Sequence, residues 1–441
     1  MKLFRLFALF SFSLLFSRSA LAQSKPVPAG QGPERLEPDV KDWDRNRDEV
    51  HRFQDMHAGR ESPTNAENSA ILDHAAQWYT YRMTWSSYQD PERPGRLMGL
   101  QRDIFEQFFE LHDPKRPPTL QQIAFMDELR KHLVQRLHDV VKNPKLIARV
   151  NACMLLARIA ATGFEETADV FSELILDPAE HEAVKFWAFR GLKDLFAMGR
   201  GENANPFRNH EREARAVQAL IDYLAQKPKI APGTPAEELE ALAYVRTEAI
   251  AALGETRFPA ETRTVNKQHI LERPTALTLL RYVSGDQVAP PPALDEQVAA
   301  FIGICQLRSH LCQDYQLDYT IQHLARFIID LVQRFNAYSV PQGDKDKPGK
   351  QYPWRLQAMR LCQALDALKA DATSPPVNEH SLYVSKFADL AGRLLREIMD
   401  GKSSQPSAGE LAGWLAQTPP KAKSVYKSLP ASVVADRPIQ E

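Results

Sequence analysis

Glycine is scarce in this chain, with 19 residues in 441 against 31 prolines. A β protein turns on glycine-bearing hairpins, so this ratio argues for helices punctuated by proline. Cysteine is scarcer, limited to Cys153, Cys305, Cys312 and Cys362, too few to make a disulfide scaffold in a chain this long. Cys305 and Cys312 are seven residues apart, about 10 Å along a helix, which is too far for a bridge within one helix. Either could meet Cys362 if their helices pack; the other reading is buried free thiols acting as small hydrophobes. An excess of one charge is also missing. With 55 basic and 56 acidic residues the net charge is −1, so no global field draws the protein to nucleic acid or to an anionic membrane. Past the N-terminus no apolar run approaches the roughly 20 residues that span a bilayer, and no transmembrane segment is expected in the mature chain.

Catalytic signatures are missing too. There is no G-x-S-x-G nucleophile motif, and no cysteine lies in a known nucleophile setting. Gly199-Arg200-Gly201 lacks the Lys and Ser/Thr of a phosphate loop, and His181-Glu182 lacks the second histidine of a zinc-protease helix. Glu165-Glu166 and Glu237-Glu238 are read as helix openers, where acids favour the macrodipole. No cofactor is expected.

What is present begins with residues 1–22. Lys2 and Arg5 are followed by an apolar run from Leu6 to Phe16 and by Ala20-Leu21-Ala22. These are the charged, apolar and small-x-small regions of a secretory signal peptide. Cleavage after Ala22 would leave Gln23 first and the mature chain in the periplasm, cell envelope or outside the cell. An uncleaved anchor is the other reading. Cleavage removes Lys2, Arg5 and Arg18 and no acid, leaving a net charge of about −4.

Residues 23–65 are proline-rich and densely charged, and read as a mostly disordered leader with one helical turn around Asp48 to Met56. From Asn68 onward 3.6-residue periodicity dominates. Helices are expected from Asn68 to Trp85, from Arg96 to Leu111, and from a Thr119/Gln122 capping box to Val141. Further helices are expected at 145–161, 165–176, 180–198, 207–226, 236–253, 294–313, 316–338, 354–369 and 380–400. Residues 256–293 read as an irregular linker, with Leu277–Val283 a doubtful strand. Residues 401–441 read as a largely disordered tail holding one short helix, Ala408 to Ala416. The expected class is all-α, with a helical cap and repeats over 66–255 and a C-terminal helical region over 294–400.

The strongest signal is an internal repeat. Val245 to Leu253 reads V-R-x-x-A-x-x-A-L; Ala148 to Leu156 and Val184 to Leu192 fit the same frame. Its basic and small positions are Arg149 and Ala152, Lys185 and Ala188, and Arg246 and Ala249. A weaker copy begins at Trp354-Arg355. The basic positions are 36 and then 61 residues apart. Small residues facing a neighbour let helices approach closely, and a helix pair with an apolar face must stack to bury it. This frame resembles the second helix of HEAT repeats. The resemblance implies an α-solenoid, in which the basic residue ties one turn to its neighbour and has a structural role.

Two other clusters carry candidate chemistry. His310, Cys312, Asp314, Asp318 and His323 have metal-ligand chemistry, but their spacing fits no recognised site, and a solvated face beside a buried cysteine is the favoured reading. Trp78, Tyr79, Tyr81, Trp85 and Tyr88 form the densest aromatic group. It reads as the core of the N-terminal cap; exposed, it could hold a sugar or a peptide.

The functional expectation is an exported scaffold offering a helical-repeat surface to a protein partner. The alternatives are a hydrolase or lyase with a dispersed site on a helical scaffold, and a structural component of an envelope assembly.

Overall fold

The computed structural model describes residues 32–429 apart from 91, 94, 109–117, 200–206, 229, 232, 266–267, 340–352, 374–378 and 403–404. The signal-peptide reading of 1–22, the start of the leader and the end of the tail lie outside the described residues. The fold is all-α. Its helices are α1 (Arg47–His57), α2 (Ala66–Tyr81), α3 (Gly95–Phe108), α4 (Leu120–Val140), α5 (Leu146–Ala160), α6 (Thr167–Leu176), α7 (Glu182–Met198) and α8 (His210–Ala225). They continue with α9 (Ala236–Gly254), α10 (Thr275–Ser284), α11 (Leu294–Gln306), α12 (Leu317–Ser339), α13 (Trp354–Thr373), α14 (Glu379–Met399) and α15 (Gln405–Gln417). The sheet among the described residues is one antiparallel hairpin, β1 (Glu261–Val265) on β2 (Gln268–Glu272), with Glu261 opposite Glu272.

Local chemistry sets the helix starts. Thr119 and Gln122 make both bonds of the capping box that opens α4. At α2 the cap is Asn65, whose side chain accepts from the Asn68 N–H. Asn68, expected as the cap, lies one turn inside and is buried, donating to Glu61 and to the Ser62 carbonyl. The first helix of the aromatic region also stops early: α2 ends at Tyr81, a 3-10 turn covers Arg82–Thr84, and Trp85 is extended.

The chain forms two compact units, residues 1–155 with 177–181, and residues 156–176 with 182–441; the boundary falls within α5. In the first unit α1, α2 and α4 pack on one another around Phe53, Leu72, Ala76, Phe125, Leu133 and Leu137. The Phe53 and Phe125 rings meet edge to face with centroids 5.3 Å apart.

Residues 32–65, expected to be mostly disordered, are instead packed into this unit. Trp43 is only 3% exposed and abuts the Phe53 ring. The Asn143 side-chain amide donates to the carbonyls of Pro33 and Glu34 at 2.9 and 3.0 Å. The Leu36 N–H donates to Thr84, and that of Asp39 to Gln77. Backbone groups that form no regular structure thus find side-chain partners far away in the chain, a pairing that leaves no periodicity.

In the second unit the helices pack in two rows. α7, α9, α11 and α13 each lie against the next, as do α6, α8, α10 and α12. The rows are cross-linked by α6–α7, α8–α9 and α10–α11 contacts, and α14 and α15 cover α12 and α13 at the end. Small residues set the spacing: on the backbone of Gly191 a Cβ would stand 2.4 Å from the Phe171 ring, so only glycine lets α6 pack this closely on α7.

The described residues of the linker 256–293 are ordered, holding the two strands and α10. Leu277–Val283 is helical, and every residue of 275–283 except Arg281 is buried. α11 ends at Gln306, so Cys305 and Cys312 do not share a helix. All four cysteines are free thiols, with Cys153, Cys305 and Cys312 buried.

The C-terminal residues also differ from the expected tail. After α15, a strap docks alongside the start of α12: Gln316 N–H donates to Val425 O at 2.8 Å and Lys427 N–H to Asp314 O at 2.9 Å. Tyr426 is 0% exposed, and its hydroxyl donates to the Pro259 carbonyl at 2.6 Å. One fully buried aromatic ring and a short backbone pairing hold a segment whose composition reads as disordered.

Candidate functional site

The three basic residues of the repeat frame are all buried, and the paired alanines Ala152, Ala188 and Ala249 are fully so. Arg149 donates to the Asn143 and Pro144 carbonyls at 2.9 and 3.1 Å and meets Glu180 at 3.1 Å. Arg246 bonds both carboxylate oxygens of Glu296 at the start of α11 and reaches the Pro290 carbonyl. Lys185 stays closer to home. Its ammonium lies 3.8 Å from Glu182 and 5.7 Å from the centre of the Tyr223 ring, whose hydroxyl donates to Glu182 at 2.7 Å. Burial pushes the carboxyls of Glu180 and Glu296 upward, and the arginines oppose it. Arg149 and Arg246 thus bond backbone carbonyls of neighbouring turns, whereas Lys185 does not.

The metal candidates separate into other roles. The Asp314 carboxylate accepts from the Ser428 N–H and hydroxyl, and Asp318 accepts from the Lys421 and Ala422 N–H groups. Both acids therefore anchor the C-terminal strap. His323 is buried against the Tyr319 ring. Among the described residues no group of His, Cys, Asp or Glu is arranged to hold a metal ion.

The aromatic cluster divides between core and surface. Trp78 and Tyr81 are buried, and the Tyr81 hydroxyl donates to Asp139 at 2.7 Å. Trp85 and Tyr88 instead line a cleft of about 520 Å³ in the first unit, together with Arg82, Arg96, Gly99 and Asp103. Arg82 is fixed by its Nε–H bond to the Trp78 carbonyl at 2.9 Å and by one to the Tyr88 hydroxyl at 3.1 Å. Its guanidinium lies 4.8, 5.2 and 5.5 Å from the centres of the Trp78, Tyr79 and Tyr88 rings. The Trp85 indole N–H donates to the Leu36 carbonyl at 2.9 Å, so the packed leader supports the cleft from behind. Burial, with Asp44 and Asp103 nearby, pushes the Tyr79 phenol up to about 12, and Arg82 opposes it.

The other wall is α3. Leu97, Leu100 and Ile104 bury one face of it, while Arg96, Gly99 and Asp103 follow one another at helical spacing along the cleft. Arg96 donates to the Ser87 carbonyl at 3.2 Å. Arg82, Arg96 and Asp103 did not stand out in the sequence. The available sign was Arg82 directly behind the aromatic run, with Arg96 and Asp103 seven apart on a helix.

The second unit exposes an aromatic ridge across α7 and α9. Tyr244 is 47% exposed and stacks on Phe186 with centroids 5.3 Å apart. Trp187 meets Phe186 edge-on, and the Arg190 guanidinium lies 5.3 Å from the centre of the Trp187 ring. A Lys193–Glu248 ion pair at 2.9 Å continues the surface. A separate small pocket, with room for about one water, lies between Glu213, Glu261, Thr256 and Arg273.

No protein-family model, curated protein or solved structure matches the chain. No helix among the described residues is long and apolar enough to cross a membrane.

Proposed function

We propose that this chain is an exported, non-enzymatic interaction scaffold, a HEAT-like α-solenoid that presents the α7–α9 face to a protein partner in the cell envelope or outside the cell. The carrying observation is the ridge of Trp187, Arg190 and Tyr244. Tryptophan, tyrosine and arginine are the residues that concentrate binding energy at protein interfaces, and here the exposed Tyr244 ring and the half-buried Trp187 ring rest on the buried Phe186. A ring already held in place loses little freedom when a partner covers it. The solenoid reading draws support from the two helix rows and from the arginines buried at repeat positions. Export rests on the three-part pattern of residues 1–22. Neither the composition nor the net charge favours nucleic acid as the partner.

Crosslinking of the mature chain, residues 23–441, in the envelope fraction of its own source tests this reading. One reproducible protein joined through Lys193 or its neighbours on α7 and α9 supports it. Crosslinks confined to other surfaces, or none from protein shown to be folded, overturn it.

A further inference from the structure

The cleft between Arg82 and α3 is not accounted for by a protein-binding ridge. We infer that it is a binding site for an acidic sugar, a saccharide unit bearing a carboxylate or a phosphate. Three features converge on that class. First, two guanidiniums face the cleft without a carboxylate partner. Arg82 uses two of its N–H donors on Trp78 and Tyr88, Arg96 uses one on Ser87, and neither forms an ion pair among the described residues. A guanidinium held in position with donors to spare is suited to bidentate recognition of an oxyanion. The three rings around Arg82 fix it without neutralising it.

Second, Asp103 lies along the same cleft, its carboxylate likewise without a hydrogen bond or an ion pair among the described residues. A carboxylate there accepts from hydroxyl groups, so the site offers an anion receptor and a hydroxyl receptor together. A bare anion would use only the first. Third, the cleft is lined by the half-buried Trp85 and Tyr88 and has a volume of about 520 Å³, in the range of small-ligand pockets, roughly 300–1,000 Å³. Gly99 adds room: a Cβ there would meet nothing within 4 Å, so the α3 wall is open at that point.

Titration of the mature chain with D-glucuronate, D-glucose 6-phosphate, D-glucose and inorganic phosphate, followed by tryptophan fluorescence and calorimetry, tests the inference. Saturable binding of glucuronate or glucose 6-phosphate is expected, with glucose weaker by about tenfold or more, the scale of one charge-assisted bond. Which of the two binds more tightly tells carboxylate from phosphate. Arg96→Gln should weaken the acidic sugars by about tenfold. Asp103→Asn should weaken the acidic sugars while leaving inorganic phosphate unchanged. Arg82→Gln should act like Arg96→Gln, but Arg82 also braces the rings; the Arg96 variant, altered at an exposed position, keeps the test valid if that protein does not fold. Equal affinity for glucose, equal affinity for inorganic phosphate, no saturable binding, or wild-type affinity in Arg96→Gln would each overturn it.

Discussion

Arg246 on α9 holds Glu296 on α11 by two bonds, Nε to Oε1 at 2.6 Å and Nη2 to Oε2 at 3.0 Å. The Glu296 side chain is wholly buried, and Oε2 also accepts from the Ala293 N–H that precedes its own helix. The pair therefore joins the frame helix α9 to the start of the next helix in its row. Arg149 has a related arrangement in the first unit, bonded to the turn before its helix and to Glu180.

Removing one member of such a pair leaves a buried charge without its partner. Arg246→Met should cost about 3–5 kcal/mol in urea unfolding, whereas the double variant Arg246→Met with Glu296→Leu should recover most of that loss. An unchanged midpoint in the single variant would mean that the pair does not bind the helices together.

Close packing of α9 on α11 rests on glycine as well. A Cβ built on Gly303 would lie 2.9 Å from the Gly254 Cα, a backbone atom that cannot rotate away. Gly303→Ala should destabilise the protein by about 1–3 kcal/mol through overpacking, as should Ala249→Leu at a fully buried repeat position. Neutral results would mean that these helices are not packed in this way.

The C-terminal strap depends on Tyr426. Replacing it with phenylalanine removes the bond to Pro259 and should cost about 1 kcal/mol; replacing it with alanine empties a fully buried site and should cost about 3–5 kcal/mol. Chemical denaturation of both variants checks this. Wild-type stability in Tyr426→Ala would show that the strap does not contribute.

Glu213 gives a pH dependence with a definite sign. Burial raises its carboxyl above the ordinary value, with Arg257 opposing and Glu261 adding to the shift. The folded chain then holds this proton more tightly than the unfolded chain, so ionisation costs stability. That cost is absent below the unfolded value of about 4.5 and grows as pH rises through the folded value. Glu213→Gln should therefore melt above wild type at pH 8, and the two should converge below about pH 4. A difference independent of pH would contradict the assignment.

Local signals were readable in the sequence, and distant pairings were not. The Thr119–Gln122 box and the periodic faces of α4, α8 and α12 place their helices, because capping and amphipathicity act within a few residues. The buried Arg149, Lys185 and Arg246 were legible through the repeat frame. By contrast, Asn143 pairs with Pro33 across 110 residues and Tyr426 with Pro259 across 167, so by composition alone the segments that hold Pro33 and Tyr426 read as disordered. The cleft was missed for the same reason. Trp85 and Tyr88 were visible as aromatics, but the halt of α2 at Tyr81 turns them to the surface, and Arg96 and Asp103 join them only in the fold.

Whether a partner binds the ridge on α7 and α9 is decided by capture of that partner with the Trp187→Ala/Tyr244→Ala variant. Neither side chain is fully buried, so the variant should fold with an unchanged helical circular dichroism spectrum. If the ridge is the binding surface, the variant captures the wild-type protein's crosslinked partner about tenfold less well or worse, the scale of losing a hot-spot pair. Equal capture by folded variant and wild type would contradict it.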